Sequence, residues 1–376
     1  MRRHLALFLL FVGLSCEHQE YQYPVEPLLA EDGTLTAGPM LGEVTETGAT
    51  LWALSSKPQT FTVKLREVDG KWLPTDFELV LSGDNPKGRC QVTGLKPDTE
   101  YSYRLISANG SVIEGDSQRF RTFGGDKLRI TFGSCAGDWG DDPSQPVFNT
   151  LASHNPNLML WLGDNIYYDR GKKEWESELA MENRWQLQRS LSNLQPFLSS
   201  TSHAAIWDDH DYGPNDSDRT YRHREYSLKL FQDYWPQYKY PNPEDGVYHK
   251  ISLNQVDIFM LDTRFHRDPN DAQGLNKSLL GESQWSWLQQ ELLSSKAEFK
   301  IIVSSMQFLA EYHSYEAWKM FSREKQRLIG VLKAHDVEGV LFLSGDRHFG
   351  EVLLDKESLN YPLYEMTASP LAAGVG

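Results

Sequence analysis

Cysteine is scarce in this chain: 376 residues contain only Cys16, Cys90 and Cys135. So few cannot build a disulfide framework, so the fold must rest on buried apolar cores. If export processing takes Cys16, Cys90 and Cys135 either pair with each other or serve separately. Positive charge is also short. Lys and Arg number 37 against 52 Asp and Glu, a formal net charge of −15. A nucleic-acid surface needs a basic face, so none is expected, whereas a site that collects cations is compatible with this balance. After Leu14 no apolar run approaches the ~20 residues needed to span a bilayer. Also missing are a Gly-rich phosphate loop, a dinucleotide fingerprint after the first α/β strand, and a nucleophile elbow around a serine.

What is present begins with an export signal. Arg2 and Arg3 precede a short apolar core, Leu5 to Leu14, which fits a signal peptide over residues 1–16 better than an anchor helix. It ends in "GLSC", which resembles a lipoprotein cleavage site and would place a lipid tether on Cys16. Simple cleavage nearby is the alternative. Residues 17–34 read as a tether, and the mature protein is expected to be exported, periplasmic or at the cell surface.

Residues 35–123 read as an all-β sandwich. "TGATLWALSS" and "TFTVKLREV" alternate as strands do. In "VTGLKPDTEYSYRLISANG", Tyr101, Tyr103 and Leu105 share one strand face, and the run ends in an Asn-Gly turn. The spacing of Leu95, Pro97 and Tyr101 resembles the tyrosine corner of fibronectin type III domains, with Trp52 as the core tryptophan and Cys90 as a buried, inert thiol.

From Leu128 the pattern becomes α/β. Strand runs are "LRITFGSC", "LMLWLGDN", "HAAIWDDHD", "VDIFMLDT", "KIIVSSMQ" and "GVLFLSGDRH". Helical spacing marks "EWESELAMENRWQLQRSL", "RHREYSLKLFQDYW" and "ESQWSWLQQELLSS", while "RDPNDAQGLNKSLLG" reads as a surface loop. Trp235, Trp285, Trp287 and Trp318 fit apolar helix faces. Each strand run ends in chemically able residues: Cys135, Asp164, Asp208 to Asp211, Asp262 to Arg264, Gln307, and Asp346 to His348. One aspartate after a strand is commonly a helix cap. Repetition at every strand end instead points to one crevice at the carboxyl ends of the strands. Carboxylates, histidines and a cysteine without a phosphate loop indicate bound metals, and paired cations suit phosphate-ester hydrolysis.

The words "FGSC", "GDNIYYD", "IWDDHDYGPND", "MLDTR", "LGESQWSWLQQEL" and "LSGDRHFGE", in this order from Leu128 onward, resemble the PhoD-like alkaline phosphatases. That family is a branch of the calcineurin-like metallophosphoesterases, and a fibronectin-like domain in front matches it too. The resemblance implies an α/β metallophosphoesterase domain over residues 128–376, with layered mixed sheets and flanking helices. The chain stops at "TASPLAAGVG", just after the family's Ser-Pro-Leu stretch, so the domain is expected to be incomplete at its C-terminal end.

The resemblance also implies roles, with Fe(III) and Ca(II) as cofactors. Cys135 stands at the first metal-binding position, and Asp164 is the expected bridging carboxylate. Tyr167 has the spacing of the iron-binding tyrosinate of PhoD-like enzymes and purple acid phosphatases. Asp209, Asp346 and His348 complete the implied ligands. His210 is the implied catalytic histidine that contacts phosphate or protonates the leaving group. Arg347 is a plausible phosphate clamp, because its planar fork matches phosphate. Asp208 and Asp211 flank a ligand, so either could bind calcium or orient His210. Arg264 either pairs with Asp262 or holds substrate. Gln307 stands where other members of the superfamily place a histidine ligand. Tyr168 and Asp169 sit either beside the ligands or at the surface. His203, His223, His266 and His313 read as core or surface residues.

The implied activity is hydrolysis of phosphate esters, the substrate partner, by a metal-activated hydroxide outside the cytoplasm. Two rivals stay open: a diesterase acting on lipid headgroups or cell-wall polymers, and a non-catalytic surface-binding protein with a degenerate phosphatase domain.

Overall fold

A computed structural model describes residues 34–138, 144–168, 173–237, 239–274 and 277–374. The expected leader 1–16 with Cys16, the tether up to residue 33, and Asp169 lie outside the described residues. Among those residues, no helix is long and apolar enough to cross a membrane.

The N-terminal part contains β1 (Ala37–Val44), β2 (Gly48–Leu54), β3 (Gln59–Glu67), β4 (Phe77–Leu81), β5 (Lys87–Thr93), β6 (Glu100–Ser107) and β7 (Val112–Arg121). They pair antiparallel into a three-stranded sheet, β1-β2-β5, and a four-stranded sheet, β4-β3-β6-β7. Alternation explains the core. Phe61, Val63 and Leu65 on β3 point inward to meet Leu51, Ala53, Tyr103 and Leu105. The Tyr101 hydroxyl accepts a hydrogen bond from the Lys96 backbone N–H at 2.9 Å, tying the strand to the turn before it. Cys90 is buried, and burial pushes its thiol up to about 11. Cys90 and Cys135 are both free thiols, so the two do not pair.

Trp52 corrects one expectation. It is fully buried, but not in the sandwich core. Its ring packs 5.8 Å from Tyr234, and its Nε1 donates to the Asp233 carbonyl at 2.9 Å, both in the second domain. Every residue of β2 is buried, so the strand has a core on each face.

The second domain runs through β8 (Ile130–Gly133), α1 (Val147–Ser153), β9 (Leu158–Leu162), α2 (Glu178–Ser190), α3 (Gln195–Ser200), β10 (Ser202–Ile206), α4 (Asp209–Tyr212) and α5 (Arg224–Tyr234). It continues through β11 (His249–Leu253), β12 (Val256–Met260), α6 (Gly281–Ser294), β13 (Phe299–Val303), α7 (Ser322–Ala334), β14 (Val340–Ser344), β15 (Gly350–Asp355) and β16 (Leu363–Ala368). One sheet is parallel, in the order β10-β9-β8. The other has the order β11-β12-β13-β14-β16-β15, parallel except at its two edge strands. Leu158, Leu160 and Leu162 from the first sheet meet Ile258, Met260, Val303 and Leu343 from the second. The outer faces are covered by helices: Met159 and Trp161 by Phe148, Trp185 and Trp235, and Ile302 and Phe342 by Trp285, Leu288 and Leu328. The six expected strand runs all form strands, but they are divided between two facing sheets. The apolar runs are continuous because the strands, the partly buried edge strand β8 apart, are buried on both faces.

The stretch "RDPNDAQGLNKSLLG" is not simply a surface loop. Its ends are anchored, since Arg267, Leu279 and Leu280 are fully buried.

Trp52 fills the contact between the two domains, so Trp52→Ala is expected to cost about 3–5 kcal/mol. Val80→Ala, at an exposed position, is expected to stay within about 0.5 kcal/mol. Thermal unfolding followed by far-UV circular dichroism should show a lower Tm for the first variant only.

Candidate metal centre

Four of the expected site residues leave their strands by the same device. Cys135, Asp164, Asp346 and His348 have φ of 61, 52, 66 and 52°. This left-handed backbone costs non-glycine residues roughly 1–2 kcal/mol each, and it clusters at functional sites. It turns a side chain out of the sheet direction directly after a buried strand. The glycines of the two Gly-Asp words make room for the turn. A Cβ on Gly163 would lie 2.7 Å from the Cβ of Asp208 and 2.9 Å from its backbone N. A Cβ on Gly345 would lie 2.5 Å from Ser134. Both glycines therefore allow neighbouring strand ends to touch.

Asp164 lies at the centre, fully enclosed. The Cys135 thiol is 3.4 Å from its Oδ2 and the Tyr167 hydroxyl donates to the same oxygen at 3.1 Å. Tyr167 also sits 3.3 Å from His348 Nε2. The other oxygen, Oδ1, accepts from the His210 backbone N–H at 3.3 Å. The His210 ring packs 4.4 Å from the Tyr167 ring. Thiol, phenol, carboxylate and two imidazoles from four separate strand ends thus converge.

Two further groups have ligand atoms within 4.8 Å of one another: Asp164, Asp209 and His210, and Asp164, Asp208 and Asp346. Asp164 belongs to both. The expected bridging residue could therefore serve two cations, and Asp209, which also belongs to a second group, could do the same. A third group, Asp209, Asp216 and Glu316, adjoins them. Asp216 stood in a quoted word without a role, and Glu316 carried no sequence signal at all.

The charges are crowded. Burial, then the neighbouring carboxylates, push Asp164 and Asp346 well above the usual carboxylate range. Burial raises Asp208 to about 6 and Asp211 to about 7, although Arg264 partly offsets it at Asp208 and hydrogen bonds partly offset it at Asp211. At Asp209 burial acts the same way, but His210 and Arg264 outweigh it and hold the group at about 2. Burial and the Asp164 charge push the Cys135 thiol and the Tyr167 phenol well up. Asp208 Oδ2 and Asp209 Oδ1 are buried without a hydrogen-bond partner. This donor set fits cations. A cation would satisfy the bare oxygens, relieve the carboxylate repulsion and favour thiolate and phenolate. Sulfur and phenol at one end suit a transition metal, while oxygens at the other suit a hard divalent ion.

The remaining candidates have definite places. Arg264 does not use its guanidinium on Asp262. It bonds Asp208 Oδ1 from Nε at 2.6 Å and Glu316 Oε2 from Nη2 at 2.6 Å, and it is fully buried. Asp262 instead accepts from Trp207 Nε1, the Val247 N–H and the Arg264 and Phe265 N–H groups. Arg267 reaches the other Glu316 oxygen. Asp211 accepts from the backbone of Asp208 at 2.7 Å and from Asn165 Nδ2 at 2.5 Å, so it braces the turn. Gln307 is buried, with its amide on Glu351 and Thr367 and its oxygen 2.9 Å from His313 Nε2. Tyr168 is not at the surface: its backbone N–H donates to the His210 carbonyl at 3.3 Å, while its side chain turns into the core and its hydroxyl accepts from Trp185 Nε1 at 2.8 Å. His203, buried and lowered to about 3 by burial, faces Trp161. His266 meets Asp245, and His223 lies 3.6 Å from Glu178. Arg347 lies over the Tyr315 ring at 4.0 Å, with Nη1 3.9 Å from Asp346 Oδ2.

A family model described as PhoD-like phosphatase matches residues 130–374. The chain belongs to the PhoD-like phosphatase family. A second model, described only as a domain of unknown function, matches residues 32–123. Alkaline phosphatase D of Bacillus subtilis (strain 168) is 23% identical over 307 residues, which make up 69% of this chain and 52% of that protein. The PhoD-like chain thus spans about half the length of that curated relative. A solved structure of PhoD superposes with a TM-score of 0.77 at 19% identity, covering 90% of this chain and 78% of the other. Purple acid phosphatase PPD1 from yellow lupin seeds gives a TM-score of 0.63 at 13% identity, covering 90% and 65%. Both likenesses show the fold: a metallophosphoesterase domain behind an all-β domain.

The buried Arg264 makes the PhoD-like site sensitive to a single change. Arg264→Ala leaves Asp208 and Glu316 without their shared cation, and is expected to cost about 3–5 kcal/mol. Urea unfolding monitored by fluorescence tests this through a lower midpoint.

Proposed function

We propose that this protein hydrolyses phosphate esters, with Fe(III) and Ca(II) as its cations. The observation that carries the proposal is the sharing of Asp164 between two groups of ligand atoms. When bound, paired cations lower the pKa of water and neutralise charge on the phosphoryl oxygens. Cys135, Tyr167, Asp164 and His348 would hold the iron, given their mutual approach of 3.1–3.4 Å along Asp164 and Tyr167. Asp164 would also serve the second cation, together with Asp208, Asp209 and Asp346.

The chain's own groups do the rest. Arg347 binds the phosphoryl oxygens from the edge of the cluster, where its Nε is buried without a hydrogen-bond partner. His210, fixed by its backbone bond to Asp164 and its packing on Tyr167, gives an imidazole proton to the leaving oxygen as the ester P–O bond breaks. Water supplies the oxygen that joins phosphorus. Asp211 and Asn165 hold the turn that carries His210, and Arg264 holds Asp208 toward Asp164. The complete donor set favours an enzyme over a degenerate binding domain. A place outside the cytoplasm rests on the leader-like residues 1–16, with Cys16 as the tether.

Asp164→Asn keeps a residue tolerant of the left-handed backbone but removes the charge. Turnover of an aryl phosphate should fall by about 100-fold or more, since a catalytic metal supplies several kcal/mol of transition-state stabilisation. The circular dichroism spectrum should not change. Retained turnover in the folded variant would overturn the assignment of Asp164.

The iron assignment has its own test. Protein purified without chelator should be coloured by a tyrosinate-to-iron band, and Tyr167→Phe should remove the band while Tyr168→Phe leaves it. An active, colourless and iron-free preparation would exclude iron.

A further inference from the structure

We infer that Tyr315 is a positioning residue for Arg347 and, through it, sets how tightly the site holds a phosphoryl group. The inference rests on the reading of Arg347 as the phosphate clamp. The Arg347 guanidinium carbon lies 4.0 Å above the centroid of Tyr315 and 5.8 Å from that of Phe349. Its nearest carboxylate, Asp346, is 3.9 Å away, beyond hydrogen-bond reach. Its Nε is buried without a hydrogen-bond partner. The guanidinium therefore rests on the ring with only a long ion pair to Asp346 beside it, a contact too long for a hydrogen bond, which leaves its N–H donors for a ligand. Arg264, by contrast, has its donors committed to Asp208, Glu316 and the Ser217 carbonyl.

Tyr315 itself is 61% exposed, so burial does not explain its position. The segment that carries it is pinned on both sides. The Tyr312 hydroxyl donates to Glu351 at 2.7 Å, and His313 Nε2 lies 2.9 Å from Gln307. Glu316, the next residue, is buried between Arg264 and Arg267. The ring is thus held out at the rim between the surface contact of Tyr312 and the buried Glu316, with one face under Arg347. A stacked cation at a half-open position gains modestly from the ring, but it loses many of its rotamers. Removing the ring frees Arg347 to leave the cluster.

The test is a double-mutant cycle on Tyr315 and Arg347, using the metal-loaded enzyme and an aryl phosphate. Metal content and circular dichroism are checked for each variant. Tyr315→Ala is expected to raise KM by roughly five- to tenfold with kcat changed by less than about twofold, in line with the strength of cation–π contacts. The Ki of inorganic phosphate should rise in parallel. Tyr315→Phe keeps the ring and should restore both. Tyr315→Ala combined with Arg347→Ala should bind phosphate no worse than Arg347→Ala alone. Additive losses, or a Tyr315→Ala variant with wild-type KM and Ki, would overturn the inference. If Arg347→Ala itself binds phosphate like the wild type, the reading of Arg347 as clamp fails. In that case a loss in Tyr315→Ala alone would count against any action through Arg347.

Discussion

The buried carboxylate of Asp164 governs the arrangement of the site, because it sits among the buried Asp208 and Asp209 and the partly exposed Asp346. Like charges at such distances raise one another's proton affinity, and burial adds to the effect. Left alone, the cluster would have to hold protons on several carboxyls at once. The fold supplies only partial relief. Arg264 pairs closely with Asp208 at 2.5 Å, but the approaches of Arg264 to Asp209 and of Arg347 to Asp346 are longer, 3.8 and 3.9 Å. Cations complete the balance. An overall charge of −15 is consistent with this, since the same excess of carboxylates that repels nucleic acid attracts divalent ions.

The carboxylates can be brought so close because of the two-sheet frame. Parallel strands end in register, so their following residues project from one edge. β9 runs between β8 and β10, and the residues after these three strands meet around Asp164. The opposing sheet contributes Asp346 and His348 after β14. Left-handed backbone at four of these positions stores strain that the buried strands on either side hold in place. Gly163 and Gly345 are both needed for contact between strand ends, and Gly163 also for its positive φ of 104°. A side chain at either would separate elements that now touch.

Much of this was legible in the sequence. Long apolar runs that stop at Gly-Asp or Asp-His mark both the strands and the residues that converge on Asp164, so the α/β order and this cluster are visible in the sequence. What escaped notice depends on distance along the chain. Glu316 binds Arg264 across 52 positions from an irregular segment with no pattern of its own. Asp262 looked like the natural partner for Arg264 because it is two residues away, yet its oxygens are taken by backbone N–H groups. Trp52 was assigned to the sandwich core because alternation identifies a buried face but not what lies against it. In β2 both faces are buried, and the tryptophan belongs to the outer one. Tyr168 differs from Tyr167 for the simpler reason that adjacent side chains diverge. One meets Asp164, while the other turns to Trp185.

The arginines near the cluster differ in how their charge is held. Arg264 and Arg267 are fully buried and share Glu316, so their charge goes into holding the bed together. An arginine paired in this way has few donors left for a ligand. Arg347 has only a long ion pair, 3.9 Å, with Asp346 and rests on an aromatic face. That contact fixes the plane of the guanidinium without occupying its N–H edge. Orientation by a ring leaves the donors open, whereas orientation by a carboxylate would occupy them and place a competing anion in the path of the phosphate. Where cations and an arginine must act on the same phosphoryl group, stacking therefore positions the arginine with less electrostatic conflict.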